Sequence, residues 1–361
     1  MSQNPIQIAI IGLQGYGSSY FSTLAKLPYV TVRAVCDTKE DVLNSTADRY
    51  GIEFRFTDYR KMLEDKEIDA VFIATPHFLH YRMTLDALQA GKHVFCEKPL
   101  AMNGNEAREM AETAARKGLI LSCHYNRRQS PAVKLLKDAA DKDILGEIYA
   151  VNVKWMARYT PFMFSPDSAW RTVKSRAGGG ILIGRGSHMI DAVLYIMGSP
   201  AVKSVSANIS SRLTGLEVDD YCLLLLRLEN GCAITIECSY ESNLPQYQER
   251  IEYQLLGTKA GAYCAEEGRN AESRIGYCRF PENDWVDLTE QFPLEAYQDT
   301  YPQSMITDFL EALKNGEKPM LTGEDALFVT TIIDAAYESA GQGREIILED
   351  QPCTRGNLTE K

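Results

Sequence analysis

The amino-acid sequence predicts an α/β protein, with a doubly wound parallel sheet at the N-terminus and an α+β domain after it. Two observations predict the first part. Strand and helix patterns alternate about every 10–15 residues, and the strand segments are continuous apolar runs. A third observation predicts the second part, because apolar and polar residues alternate with period two between residues 202 and 263. That domain is therefore expected to hold an open, mostly antiparallel sheet.

The elements of the first third follow from these apolar runs and from their stop signals. The predicted strands are Ile6–Ile11, Val30–Cys36, Glu53–Phe56, Ala70–Ala74, Lys92–Cys96 and Leu119–Cys123. The predicted helices are Tyr16–Leu27, Lys39–Tyr50, Tyr59–Asp65, Tyr81–Ala90 and Asn105–Lys117. Gly51, Gly91 and Gly118 directly follow three of these helices, as C-terminal caps do.

The pattern changes near Asn126, which predicts one domain over residues 1–125 and a second over 126–361. The second domain is expected to contain a helix at Pro131–Lys142, a strand at Glu147–Met156, an irregular stretch from Arg158 to Arg185, a helix at His188–Met197, and closing helices at Tyr301–Lys314 and Glu324–Ala340. Turns such as Glu229-Asn230-Gly231 separate the strands of its sheet.

Composition narrows the classes of partner and location. The net charge is −11 and no long basic block occurs, which argues against nucleic acid and anionic membrane as partners. The nine cysteines are an odd number without a CxxC pair, which favours buried thiols in a reducing compartment. No signal peptide and no 18-residue apolar run are visible, so a cytoplasmic location is expected. His77 and His80 lack nearby further ligands, so no metal is expected.

A glycine-rich turn joins the first strand to the first helix. A dinucleotide-binding turn needs glycine at the tight turn and at the contact between helix and strand. Gly12 and Gly17 fill these positions, while Gln14, Gly15 and Tyr16 stand between them. The spacing is GxxGxG rather than GxGxxG, so an ordinary strand-to-helix turn remains an alternative.

Asp37 stands at the end of the second strand, twenty residues past Gly17. An acid at this position accepts hydrogen bonds from the adenosine ribose hydroxyls, and its charge repels a 2′-phosphate. The sequence therefore predicts NAD as cofactor in preference to NADP. Asp37 could also cap the helix that follows it, and both roles can hold at once.

Glu97-Lys98-Pro99 ends the fifth predicted strand. A lysine at the C-terminal end of a parallel strand lies where open α/β sheets bind ligands. The alternative for Lys98 is a solvated loop lysine.

Six segments, in this order and spacing, resemble the Gfo/Idh/MocA family, the relatives of glucose–fructose oxidoreductase and inositol dehydrogenase. They are Ile10–Gly17, Ala74–His80, Glu97–Ala101, His124–Arg128, Trp170-Arg171, and Gly178–Leu182 leading to His188 and Asp191. The resemblance covers nearly the whole chain. It implies a Rossmann domain, then a sheet domain that often mediates oligomers, and hydride transfer between a nicotinamide and a hydroxyl of a sugar, inositol or related polyol.

The resemblance also implies roles for individual residues. It makes Lys98 a catalytic or substrate-orienting group, places His188 at the reacting hydroxyl and places Asp191 on a neighbouring hydroxyl. Pro99 often follows a cis bond in this family. It places Thr75, Pro76 and His80 beside the cofactor and Glu97 near the nicotinamide ribose. The other predicted cofactor residues are His77, where many relatives have Asn, Lys98 and Asn126.

Chemistry supports the two catalytic assignments. Hydride leaves carbon only as the hydroxyl proton leaves oxygen, so a general base is needed, and His188 can take that proton near neutral pH. Lys98, as a cation, can stabilise the developing alkoxide. The alternative for His188 is a structural hydrogen bond at a helix start. His93 and His124 are interpreted as structural.

One position departs from the family pattern, which usually has an acid four residues before the histidine. Here that position is Gly184, followed by Arg185, which could bind an anionic group of the substrate or make a surface ion pair. Aromatic and arginine residues before the glycines could form a sugar platform or simply pack as a lid. The predicted substrate residues are Lys98, Arg158, Tyr159, Trp170, Arg171, Arg185, His188 and Asp191.

Three functions compete. The first is an NAD-dependent dehydrogenase of a sugar, inositol or sugar-derived polyol. The second is an NAD-dependent redox-assisted glycosidase or lyase of the same family, which the missing acid at Gly184 motivates. The third is a non-catalytic NAD-binding sensor, against which the presence of Lys98 and His188 argues. A homodimer or homotetramer is expected through strands Tyr221–Leu228 and Ala233–Tyr240.

Overall fold

The computed structural model of the protein describes residues 4–158, 165, 168–240, 249–267, 270–279, 284–300 and 304–348. They form two compact units. The first comprises the chain up to Tyr125 together with residues 303–330, and the second comprises residues 126–302 and those from 331 onward. The sequence assigned 303–330 to the second domain. The structure groups this segment with the N-terminal sheet.

A six-stranded parallel sheet forms the centre of the first unit. Its strands are β1 (Ile6–Ile11), β2 (Val30–Cys36), β3 (Phe54–Phe56), β4 (Ala70–Ile73), β5 (His93–Cys96) and β6 (Leu121–Cys123). Their order is β3-β2-β1-β4-β5-β6, and every neighbouring pair is parallel. This confirms the doubly wound sheet. The strand order reverses between β1 and β4, which is where such sheets bind ligands.

Helices connect these strands: α1 (Tyr16–Leu24), α2 (Glu40–Tyr50), α3 (Tyr59–Leu63), α4 (His77–Gln89) and α5 (Gly104–Lys117). The caps are readable in the sequence, since Asn103 accepts the N–H of Glu106 and Gly118 ends α5 in the left-handed conformation. Helix α4 begins about one turn earlier than the predicted start at Tyr81. Pro76 immediately precedes it. Proline is tolerated at the start of a helix, where its missing N–H costs no intrahelical hydrogen bond.

A nine-stranded mixed sheet forms the second unit. Its strands are β7 (Ile148–Ala157), β8 (Val202–Ser210), β9 (Tyr221–Leu228), β10 (Ala233–Ser239), β11 (Glu249–Gly257), β12 (Gly261–Glu267), β13 (Asn270–Arg279), β14 (Asp284–Asp287) and β15 (Ile346–Ile347). The order is β14-β13-β12-β11-β7-β10-β9-β8-β15. Only β7 and β10 pair in parallel, so the mostly antiparallel prediction is confirmed.

The remaining helices are α6 (Pro131–Asp141), α7 (Lys174–Ala177), α8 (Ser187–Ile196), α9 (Ser304–Asn315) and α10 (Gly323–Gln342). Short 3₁₀ turns occupy Asn126–Gln129 and Ala169–Thr172, and a π-helical segment at Leu182–Gly186 leads into α8. The stretch predicted as irregular therefore contains short helical pieces. Among the described residues, no helix combines the length and the apolar character needed to cross a membrane.

Aromatic packing explains why residues 303–330 join the first unit. Phe72 of β4 and Phe95 of β5 lie 5.0 Å apart between ring centroids. Phe309 of α9 contacts both, at 5.7 and 5.4 Å, and is fully buried. Three rings of this size bury enough apolar surface to fix α9 on the N-terminal sheet.

Candidate active site

Two glycines of the turn between β1 and α1 have no room for a side chain. Gly12 has φ +86°, and a Cβ on it would lie 2.5 Å from the carbonyl oxygen of Ala74. A Cβ on Gly17 would lie 1.9 Å from the carbonyl oxygen of Gly12. By contrast, a Cβ on Gly15 would meet nothing within 4 Å. The turn is thus tight inside and open outside, which suits the approach of a pyrophosphate to its backbone.

Asp37 binds that turn directly. Its Oδ2 accepts the N–H of Leu13 at 2.9 Å, and its Oδ1 accepts the N–H of Lys39 at 3.0 Å. Asp37 does not cap α2, because the capping position belongs to Lys39. Each carboxylate oxygen still has a lone pair after these bonds, so the group can also accept from a ribose hydroxyl.

Two further residues of the turn have side-chain contacts. The Lys39 ammonium donates to Gln14 Oε1 at 3.0 Å. Tyr16 is half exposed, and its ring meets the edge of His124 at 6.3 Å. The backbone of the turn, the open space at Gly15 and the carboxylate of Asp37 together fit a dinucleotide.

His80 joins the loops that follow β4 and β5. Its Nδ1 lies 2.8 Å from the carbonyl oxygen of Pro99, and its Nε2 lies 2.9 Å from that of Thr75. A neutral imidazole has one N–H, so only one of the two contacts is a hydrogen bond in that form. Burial lowers the pKa of His80 below its ordinary value, against the opposing effect of the two carbonyl oxygens.

The stability of the protein should consequently fall in mild acid. Below about pH 6.5 the unfolded chain takes a proton on His80 while the folded protein does not, so the unfolding free energy falls by up to about 1.4 kcal/mol per pH unit for this group. We expect His80→Gln to show a shallower dependence than the wild type in urea unfolding between pH 7.5 and 5.5. Equal slopes in the two proteins would contradict this.

Glu97 lies in a buried cluster at the ends of β5 and β6. Its Oε1 accepts from the Tyr20 hydroxyl at 2.5 Å and contacts His124 Nδ1 at 2.7 Å. Burial alone would raise the pKa of Glu97, but His124 and Tyr20 outweigh it and hold the pKa below its usual value. Burial, followed by the charge of Glu97, raises the pKa of Tyr20 well above its usual value. The sequence did not predict this pairing, although β5 and β6 are neighbours.

Lys98 follows Glu97 directly and is half-buried. The Lys98–Pro99 peptide bond is cis, as the resemblance implied. Because β1, β4 and β5 are parallel neighbours, Lys98 lies at the same edge of the sheet as the glycine-rich turn and Thr75. Within the first unit, the structure therefore brings the predicted lysine and the predicted cofactor turn to one sheet edge.

Asp219 holds the glycine-rich loop of the second unit in place. Its carboxylate accepts the N–H groups of Gly180 and Leu182, both at 2.8 Å, and the hydroxyl of Tyr337 at 2.8 Å. A Cβ on Gly180 would lie 1.8 Å from the Asp219 carbonyl oxygen, so this approach requires glycine. The loop runs into the π-helical segment, a feature common near functional sites.

His188 lies in the first turn of α8 and is 5% exposed. Its ring is 6.0 Å from the ring of Trp155, whose Nε1–H donates to Glu249 Oε1 at 2.9 Å. The Arg185 guanidinium lies 4.3 Å over the same Trp155 ring and 3.7 Å from Glu249. The Arg185 side chain of this ion pair is 15% exposed and that of Glu249 is 36% exposed. Binding of an anionic substrate group by Arg185 stays a prediction. Arg127 also contacts Trp155 and pairs with Glu266.

Asp191 forms a buried ion pair that the sequence did not predict. The Arg128 Nε lies 3.0 Å from both carboxylate oxygens, and its Nη2 lies 2.7 Å from Oδ1. The side chains are 3% and 0% exposed. The predicted contact of Asp191 with a substrate hydroxyl remains a prediction, and its observed partner is Arg128.

The other predicted residues are placed as follows. Asn126 begins the 3₁₀ turn after β6, and Arg158 is exposed just past β7. Trp170 and Arg171 stack on each other at 4.3 Å. Tyr159 lies outside the described residues. Among the residues that the structure describes, no three His, Cys, Asp or Glu side chains are grouped so that they could hold a metal.

Comparison with known proteins agrees with this fold and cofactor turn. The family model of an oxidoreductase family with an NAD-binding Rossmann fold matches residues 6–125, and the model of that family's C-terminal alpha/beta domain matches residues 137–348. Two relatives, each 28% identical, are the D-glucoside 3-dehydrogenase of Escherichia coli and the myo-inositol 2-dehydrogenase of Thermotoga maritima. Each alignment spans 96% of this chain and 99% of the relative.

A solved structure of levoglucosan dehydrogenase in complex with NADH is 25% identical to this chain, with a TM-score of 0.84. It covers 96% of this chain and 100% of its own. The N-terminal domain of the present chain is an NAD-binding Rossmann domain, and NAD is its cofactor. The two family matches together span nearly all of the described residues. The chain therefore belongs to the Gfo/Idh/MocA family of oxidoreductases.

Proposed function

We propose that the protein is an NAD-dependent dehydrogenase that transfers a hydride between the nicotinamide and a hydroxyl or carbonyl of a sugar, inositol or related polyol. The observation that carries the proposal is the position of Lys98 at the sheet edge that also bears the Gly12 turn and Asp37. The relatives named as glucoside and inositol dehydrogenases support the substrate class.

The cofactor would be held by the backbone of the glycine-rich turn and by Asp37 at the adenosine ribose. We propose further cofactor contacts from the ends of β4 to β6, by Thr75, Pro76, His77, His80, Glu97 and Asn126. When bound, the nicotinamide supplies a hydride acceptor or donor. Because Glu97 and His80 are also held by buried partners, they fix the loops that carry Thr75 and Lys98 as well.

The chain's own residues handle the proton and the charge. His188 accepts the hydroxyl proton as general base, and Lys98 stabilises the oxygen as its charge develops. We propose that Arg158, Tyr159, Trp170, Arg171, Arg185 and Asp191 position the substrate. The Glu249 carboxylate already balances the positive charge of Arg185. The site therefore favours a neutral polyol over a strongly anionic substrate.

Asp37→Ser should move cofactor preference toward NADP. Removing the carboxylate removes its repulsion of a 2′-phosphate and its hydrogen bonds to the ribose hydroxyls. We expect the ratio of kcat/KM for NAD to that for NADP to fall by at least roughly tenfold, a difference of about 1.4 kcal/mol. Asp41→Ser, which changes an exposed acid in the first turn of α2, should leave the ratio unchanged. An unchanged ratio in Asp37→Ser would rule out this role.

The decisive experiment follows the reduced-nicotinamide absorbance while NAD and a panel of sugars, inositols and sugar acids are mixed with the pure protein. Accumulation of NADH with one polyol supports the dehydrogenase. Cleavage of an aryl glycoside that needs NAD but accumulates no NADH would replace it with the redox-assisted glycosidase. Absence of both reactions, with NAD still bound, would favour the sensor.

We also propose a homodimer or homotetramer through the sheet of the second unit. On β9, alternate residues are buried, while Leu223 and Leu225 lie on the more exposed face. Leu223 is 39% exposed, and apolar side chains on an open sheet face favour association. Sedimentation equilibrium tests the assembly, and a monomer at micromolar concentration would contradict it. The cytoplasmic location stays a prediction from the sequence.

A further inference from the structure

Gly184 and Tyr240 occupy a shared space in the second unit. A Cβ added to Gly184 would lie 2.2 Å from the Tyr240 hydroxyl oxygen and 3.5 Å from its ring carbon Cζ. The hydroxyl therefore leaves too little room for the Cβ of any larger residue at position 184. An aspartate at 184 would begin its side chain beside this hydroxyl, with its carboxylate oxygens two bonds beyond the Cβ.

Tyr240 is anchored to the elements that hold His188. It directly follows β10, its N–H donates to the Asp220 carbonyl oxygen at 2.9 Å, and its hydroxyl donates to the Gly180 carbonyl oxygen at 3.4 Å. Gly180 is in turn bound by Asp219. The side chain is 8% exposed. Tyr240 is thus held at its backbone N–H and at its hydroxyl.

Residue 184 lies about one helical turn before His188. Side chains four residues apart along a helical segment lie on similar sides of it, so a polar group over residue 184 adjoins the surroundings of residue 188. The acid that the family resemblance led us to expect at 184 is absent. The hydroxyl over Gly184 comes from the residue that follows β10, more than fifty residues later in the chain.

We propose that the Tyr240 hydroxyl supplies the polar contact that an acid at residue 184 would otherwise provide, by hydrogen bonding to a substrate hydroxyl beside the one that His188 deprotonates. This rests on the proposed dehydrogenase function. Tyr240 keeps its proton throughout, since a hydroxyl both donates and accepts hydrogen bonds. Gly184 is then the residue that leaves room for it, and positions 184 and 240 act as a coupled pair.

The test is a set of variants measured for kcat, KM and melting temperature with the polyol that the wild type oxidises. Tyr240→Phe should lower kcat by roughly 10- to 100-fold with an intact fold. Gly184→Asp combined with Tyr240→Phe should recover most of that loss and add a new ionisation to the acidic limb of the kcat/KM profile. Gly184→Ala combined with Tyr240→Phe places its Cβ in ordinary contact with the ring, so it should fold but stay slow.

Two controls separate chemistry from packing. Gly184→Ala alone brings its Cβ against the hydroxyl, so it should lower the melting temperature, and Tyr240→Phe should relieve that loss. Tyr221→Phe removes a hydroxyl on β9 that donates to Glu237 of the adjacent strand β10, and it should leave kcat unchanged. Wild-type kcat in Tyr240→Phe would overturn the inference and leave the dehydrogenase intact. A wild-type protein that oxidises no polyol would overturn both.

Discussion

Replacing His188 with alanine is expected to lower kcat for polyol oxidation by roughly 10²- to 10⁴-fold, the usual contribution of a positioned general base. His188 lies in the first turn of α8, behind a loop whose backbone Asp219 holds at two N–H groups. That support fixes the position from which the imidazole acts. The KM for NAD should change little, because the proposed cofactor turn belongs to Gly12–Gly17 and Asp37.

Added imidazole gives the sharpest control for this variant. It should restore part of the rate to His188→Ala, since a diffusible base can occupy the vacated space. His93→Ala is the matched control, because the His93 ring accepts the N–H of Ile120, at 2.9 Å, and has no proposed part in the reaction. Wild-type kcat in His188→Ala, or an equal loss in His93→Ala, would exclude the general-base role.

Replacing Arg128 with methionine is expected to lower the unfolding free energy by about 3–5 kcal/mol. The change leaves the Asp191 carboxylate buried and without its charged partner, and that carboxylate is wholly inaccessible to solvent. The Arg128 guanidinium also stacks over the Tyr195 ring at 5.1 Å, and this contact is lost as well. Urea unfolding followed by circular dichroism measures the difference.

Two companion variants distinguish the ion pair from simple packing. Arg128→Met combined with Asp191→Leu removes both charges and should recover most of the lost stability, because a buried pair contributes little beyond an apolar replacement. Arg128→Lys keeps the charge but not the planar fork, so it should fall between wild type and Arg128→Met. A double variant no more stable than Arg128→Met would show that packing of the guanidinium dominates.

The local sequence pattern was sufficient to predict most strands and helices of the first unit. Continuous apolar runs and glycine caps predicted all six parallel strands, with ends that differ by a residue or two. Strands β13 and β14 were missed, because the sequence Asn-Ala-Glu-Ser-Arg at the start of β13 has no apolar alternation. Both strands lie at one end of the sheet, where polar residues are tolerated and hydrogen bonding to a neighbour decides the conformation.

The candidate site divides in a similar way. The positions of Lys98 and Asp37 were predictable, because each follows the end of a recognisable strand, whereas their roles stay predictions. The partners of Glu97 and Asp191 were not predictable, since His124 and Arg128 lie 27 and 63 residues away along the chain. Periodicity within a short window carries no information about such distant pairs. The contact between Gly184 and Tyr240 was unpredictable for the same reason. A glycine in the sequence indicates that space is available, but it does not show which distant residue fills that space.

The position of Phe309 on the N-terminal sheet has a consequence for folding during synthesis. Phe72 and Phe95 leave the ribosome about 200 residues before Phe309, which at roughly 5–20 residues per second is a delay on the order of 10–40 s. During that interval the rings of Phe72 and Phe95 lack the packing contact that Phe309 later provides. A fragment ending after β6 would lack Phe309 and should therefore expose this apolar surface permanently.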